Sequence, residues 1–119
     1  MSTLNLTISG SFSTDYDQYS LAQPSASLTM GGEMQFSTLT VTQAASLAVP
    51  LGTVTTPTIG YFYNAGPTNY VSILDNATEI ARIPSGRAAL IPLPNGVDLK
   101  AQANTADCSM PYALWEEAP

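Results

Sequence analysis

Ile59-Gly-Tyr-Phe-Tyr-Asn-Ala-Gly-Pro-Thr-Asn-Tyr-Val-Ser-Ile73 decides the fold class. Val54, Ile59, Tyr61, Tyr63, Tyr70, Val71, Ile73 and Leu74, in and around it, are β-branched, aromatic or aliphatic. Such side chains fit a pleated, half-buried surface. The central Asn64-Ala-Gly-Pro67 is turn chemistry, since Asn and Gly accept unusual φ values and Pro presets its own. The stretch therefore predicts a strand from about Thr58 to Asn64, a turn, and a partner strand from Thr68 to Leu74.

The rhythm continues towards the C-terminus. Asp75-Asn76 reads as a turn and Glu79 to Ile83 as a short strand. Pro84-Ser-Gly-Arg87 has Pro and Gly where a β-turn wants them. Ala88 to Leu93 is a strand, and Pro94-Asn-Gly96 carries a strong hairpin signal. Val97, Leu99 and Ala101 alternate with Asp98, Lys100 and Gln102, and Cys108 to Trp115 closes the sheet.

Towards the N-terminus, Thr3 to Gly10 alternates, with Leu4, Leu6 and Ile8 on one face, as a half-buried strand does. Phe12 opens a short second piece, and Ser13 to Pro24 has no period and reads as a loop or crossover arm. Ser25 to Met30 alternates again, and Gly31-Gly32 is a two-residue hairpin signal. A change of apolar parity between Phe36 and Leu39 predicts a bulge near Ser37. Residues 42–52 fit either one helical turn or an extended edge, which Pro50 and Gly52 end.

Strands at intervals of roughly 8–12 residues, separated by Gly, Pro and Asn turns, mean a sandwich or barrel. The expected fold is all-β: a single-domain antiparallel β-sandwich, jelly-roll-like, with about eight or nine strands. Residues 1–50 read as N-terminal strands, an arm or a hairpin, and residues 51–119 as the sandwich core.

A chain of 119 residues is one domain by length and needs no metal or disulfide to fold. The nine carboxylates outnumber Arg82, Arg87 and Lys100, giving a net charge of −6. That balance argues against binding a phosphate backbone, which needs a cationic footprint, and against an anionic membrane. No histidine is present, which removes His-based triads, metal sites and pH switches. Cys108 is the single cysteine, so no disulfide forms within the chain. The N-terminus lacks the basic start and apolar run of a signal peptide, so synthesis in a cytoplasm is expected.

Charge is unevenly placed. Glu33 and Asp75 bracket 41 residues, Met34 to Leu74, without one charged side chain. In a small domain such a segment is either core or interface, and its strand edges would be sticky in a free monomer. The competing reading is Thr-rich strands facing water. The interface reading names Phe36, Leu39, Val41, Tyr61, Tyr63, Asn64, Asn69 and Tyr70 as partner contacts. Arg82 and Arg87 are the candidates for ion pairs with a partner's carboxylates.

Signals for chemistry are weak. Asp15-Tyr16-Asp17 lacks the further acids of a calcium loop. Asp75 and Glu79 flank a turn, where exposed acids are ordinary. Cys108 has no histidine to activate it and reads as a small buried hydrophobe. The six tyrosines, at 16, 19, 61, 63, 70 and 112, would have to cluster to stack a sugar; in strands, core packing is their default. Met30, Met34 and Met110 read as core filling. No enzyme activity, cofactor or metal is expected.

From residue 52 to about 117 the chain resembles small virion proteins of tailed bacteriophages. The resemblance rests on Gly52-Thr-Val-Thr-Thr-Pro57, Tyr61-Phe-Tyr-Asn64, Thr68-Asn-Tyr-Val71, Pro84-Ser-Gly-Arg87 and Leu99-Lys-Ala-Gln-Ala-Asn-Thr-Ala106. These motifs are turns and strand patterns. Arg87 stands where the family usually has an acid, so a contact there would differ in sign. The resemblance implies a capsid decoration (cement) protein on the virion exterior. Its partners would be the major capsid protein and itself, as a homo-oligomer, dimer or trimer. A tail, fibre or glycan-binding component is the alternative it implies.

Overall fold

The computed structural model describes the backbone of residues 3–6, 9–13, 18–22 and 26–117, and the side chains of residues 33–117. Eleven strands and no helix occur among the described residues. They are β1 (Thr3–Leu6), β2 (Ser9–Ser13), β3 (Gln18–Ala22), β4 (Ala26–Val41), β5 (Leu47–Ala48) and β6 (Ile59–Tyr63). β7 (Val71–Asp75), β8 (Thr78–Ile83), β9 (Ala88–Pro92), β10 (Leu99–Ala103) and β11 (Cys108–Glu117) follow. A five-stranded sheet has the order β1-β4-β11-β6-β9, and a four-stranded sheet the order β5-β10-β7-β8. All pairings are antiparallel, and β2 and β3 pair with each other.

The two larger sheets pack together over an apolar core. Phe62, Tyr112, Met110 and Leu114 come from the five-stranded sheet; Val71, Ile73, Leu99 and Ala101 come from the four-stranded one. Full burial of one such aliphatic or aromatic side chain is worth about 1.5–3 kcal/mol. Val41 and Val49 lie in the same core and β1 pairs with β4, so the sandwich includes strands that precede residue 51.

The opening stretch does contain two strands, but they are not partners. β6 pairs with β11 and β9, whereas β7 pairs with β10 and β8 in the other sheet. Residues 64–70 carry the chain across the sandwich. The turns at 84–87, 93–98 and 104–107 do the same, each joining strands of different sheets. Turn chemistry fixes a reversal of the chain and not which strand it then pairs with. Among the described residues, the one hairpin between neighbouring strands of the sandwich is β7–β8, where Asn76 supplies a positive φ of 55°.

β4 departs most from expectation. Gly31-Gly32 does not turn the chain; β4 runs through it for 16 residues. The irregularity sits there instead of at Ser37. Trp115 pairs with Met34 and Glu117 with Met30, so β4 spends two more residues than β11 on this step. Glycine tolerates the kink of such a bulge. From Met34 to Val41 the register with β11 is unbroken. The segment 13–24, read as a loop, contains β3. Asp15 and Asp17 lie outside the described residues. Residues 42–52 form the extended edge, through β5, and no helical turn.

Candidate docking face

Strand pairs place directly opposed residues on the same side of a sheet. On β4 the odd-numbered Leu39 and Val41 face the core, and the even-numbered Met34, Phe36, Thr38 and Thr40 face out. The register carries this outer side across the sheet. Met34, Phe36, Thr38 and Thr40 oppose Trp115, Ala113, Pro111 and Ser109 of β11. Trp115 and Ala113 oppose Ile59 and Tyr61 of β6. Ile59, Tyr61 and Tyr63 oppose Pro92, Leu90 and Ala88 of β9. None of these fourteen positions carries a charge, and eleven are apolar or aromatic.

The face has relief. Phe36 is 71% exposed and Met34 47%, with Leu90 and Tyr63 also open to solvent. Ala113, between Phe36 and Tyr61 in the register, is 1% exposed and forms a floor. Isolated exposed apolar residues are ordinary, but a contiguous apolar face marks an interaction site.

The outer side of the four-stranded sheet is its opposite in character. Ser72, Arg82, Glu79, Lys100 and Gln102 lie there. Arg82 Nε donates to Glu79 Oε1 at 2.9 Å, Nη2 donates to Oε2 at 3.1 Å, and the Ser72 hydroxyl donates to Oε1 at 2.9 Å. The Arg82 guanidinium, then the Ser72 hydroxyl, hold the Glu79 carboxyl below the usual carboxylate range. Arg82 also lies over the Tyr70 ring, 4.2 Å from its centre. A shallow cleft of about 250 Å³ is lined by Tyr70, Ser72, Gln102, Ala103 and Asn104. Tyr70 is its one aromatic residue, so the tyrosines do not gather into a stacking platform there. Asp75 accepts the Asp98 N–H at 2.9 Å, so both acids flanking the β7–β8 turn have structural partners.

Of the sequence-predicted contacts, Phe36, Tyr61 and Tyr63 share the apolar face. Val41 is fully buried, and Leu39 packs against the core one strand position out of phase with Phe36. Asn64 and Asn69 are buried and serve the crossover, not a partner. Asn64 Nδ2 donates to the carbonyls of Asn69 (2.8 Å) and Ile83 (2.9 Å), and its Oδ1 accepts the Gly66 N–H (2.8 Å). Asn69 Nδ2 donates to the Ala106 carbonyl, and the Ser85 hydroxyl to the Gly66 carbonyl. Tyr70 and Arg82 belong to the polar face, and Arg87 sits exposed in the turn before β9.

Sequence reasoning missed Trp115, Leu90, Pro92 and Pro111, and placed Met34 in the core. Their common signal, absence of charge on one parity of four strands, becomes readable only with the register. Comparison with protein families, with curated proteins and with solved structures finds no match for the chain. The docking face therefore rests on geometry and composition alone. Among the described residues no group of three or more His, Cys, Asp or Glu side chains is placed to hold a metal.

Proposed function

We propose that this is a non-enzymatic structural protein that works buried against other protein subunits, most specifically a cement protein on the exterior of a bacteriophage capsid. One observation carries the reading: fourteen positions on the outer side of β4, β11, β6 and β9, from Met34 to Thr40 and their partners, carry no charge, and eleven of them are apolar or aromatic. Exposed to water this face is a liability; covered in an assembly it stabilises that assembly. A contact made only in the assembled shell shifts the equilibrium towards it by mass action. Symmetry repeats each such contact many times over one particle.

Two further features support the virion reading. The turn and strand motifs from Gly52 to Ala106 resemble those of small phage virion proteins. The strand order β4-β11-β6-β9 over β5-β10-β7-β8 fits the eight-strand, two-sheet plan of a jelly roll, which viral capsid domains share with lectins and other proteins. That last likeness is one of fold and hosts many functions.

The test is reconstitution. The protein is added to particles stripped of it, and the temperature of genome release is measured. A rise for the wild type, lost for Phe36→Asp, is expected. No rise with the wild type refutes the cement reading.

A further inference from the structure

We infer that the occupant of the apolar face is the same face of a second copy of this chain, in a two-fold dimer; this rests on the docking-face reading above. Charge selects the surface. Two chains of net charge −6 repel on approach, and the cost is least where the charge is missing. The face offers such a surface, whereas the other sheet presents Glu79, Arg82 and Lys100 outward.

Charge also selects the partner. Arg87 immediately precedes Ala88, at the corner of the face where β9 begins. Glu117, two residues beyond Trp115 and on the same parity, ends β11 at the opposite, β4 side of the face. Glu33 and Glu116 lie nearby on the other parity, where they accept hydrogen bonds from the Thr53 and Thr55 hydroxyls. These corners are diagonally opposite. A two-fold axis lying in the interface along the other diagonal exchanges them. It sets Arg87 of each copy beside the acidic corner of its mate, and the contact forms twice. An isologous interface of this kind is self-complementary, as two-fold dimers require. Arg87 makes no salt bridge among the described residues, while Arg82 and Lys100 each have one.

The dimensions suffice. The face is four strands wide at ~4.8 Å spacing, with seven residues on β4 and β11 and five on β6 and β9 rising ~3.3 Å each, a footprint roughly 19 Å wide and about 16–23 Å long. Side chains stand out of that plane, so accessible area exceeds the footprint. With its rim the face is of the order of the ~800 Å² per partner that a stable interface buries. Two sheets stacking face to face, about 10 Å apart, are the ordinary way to interleave such side chains. Phe36 beside the low floor at Ala113 provides the relief for it.

Sedimentation equilibrium on the full chain tests this. The wild type should weigh twice the 12.5 kDa chain mass at micromolar concentration. Phe36→Asp should be a folded monomer, since that side chain is exposed and its loss leaves the core intact. Arg87→Glu should weaken the dimer at least several-fold, and Glu117→Arg in the same chain should restore it. A monomeric wild type, or a dimer that survives Phe36→Asp, overturns the inference. If the wild type is monomeric yet Phe36→Asp still blocks binding to particles, the docking face stands and its occupant is another protein.

Discussion

The side-chain amide of Asn64 donates a hydrogen bond to the backbone carbonyl of Ile83, 2.9 Å away across the loop between the sheets. Asn64 immediately follows β6 in one sheet and Ile83 ends β8 in the other. The backbone reinforces the link: Asn64 N–H donates to the Arg87 carbonyl, and Gly86 N–H to the Asn64 carbonyl, both at 2.9 Å. A buried amide with all its hydrogen bonds made pins two chain crossings to each other.

Asn64→Asp keeps the shape and removes both donors. Two carbonyls, of Asn69 and Ile83, lose their partner. Each unpaired buried group costs about 1–3 kcal/mol. The variant should lose several kcal/mol in denaturant unfolding. The introduced acid is buried facing carbonyls, so its folded pKa is raised. Its protonated form is the one the fold tolerates, so stability recovers below the ordinary Asp pKa and falls as pH rises. The gap to wild type should narrow on acidification; a gap independent of pH would refute this account.

Gly66→Ala should destabilise by about 1–3 kcal/mol, the usual cost of overpacking. A Cβ at this position would stand 2.7 Å from Cys108 Cβ and 2.8 Å from Asn69 Oδ1. Both neighbours are buried, so neither swings away cheaply. Thermal melts check it, at about 4 °C per kcal/mol for a domain of this size. A variant as stable as wild type would show that the crossover is looser than described.

Cys108 is 6% exposed, and burial pushes its thiol pKa up; a hydrogen bond with Asn69 works the other way, and the Asp107 charge adds to the rise. The fold thus favours the protonated thiol. This contribution is full below the unfolded thiol's pKa and is lost as pH rises through the folded value. Cys108→Ala should therefore lose less stability than wild type on moving to alkaline pH. Labelling of the native thiol by an aromatic disulfide should also be slow and accelerate sharply on unfolding. Fast labelling of the folded protein would contradict the burial.

Tyr112 is 1% exposed, and its hydroxyl donates to the Pro50 carbonyl at 2.7 Å. This ties β11 to the connection between β5 and β6. Tyr112→Phe keeps the ring packing and removes the bond, so a loss of about 1 kcal/mol is expected in chemical denaturation. Tyr112→Ala should cost about 3–5 kcal/mol through the cavity, on the scale of other aromatic truncations. Equal losses for the two would mean the ring contributes little.

Much of the secondary structure was legible. The strands around β6, β8 and β9 and the turn at Pro84–Arg87 fall within a residue or two of expectation. The misreadings share a cause. Gly31-Gly32 has hairpin chemistry, yet the long pairing of β4 with β11 holds the chain straight through it. Asn64 and Asn69 look like exposed turn residues, yet the crossing of the sheets buries them.

The alternation of side chains by itself determined that this protein is an all-β sandwich, because period-2 patterns and turn residues act over a few residues. It could not say which parity of β4 or β6 faces inward, because both parities carry apolar side chains. Phe62 and Tyr61 are chemically alike, and Leu39 and Phe36 are both apolar; pairing alone puts Phe62 and Leu39 on the inner side and Tyr61 and Phe36 on the outer. Only tertiary structure, through the register across β4, β11, β6 and β9, gathers uncharged residues far apart in the chain into one face. A face is a property of strands side by side, and which strands lie side by side is decided by packing the two sheets together.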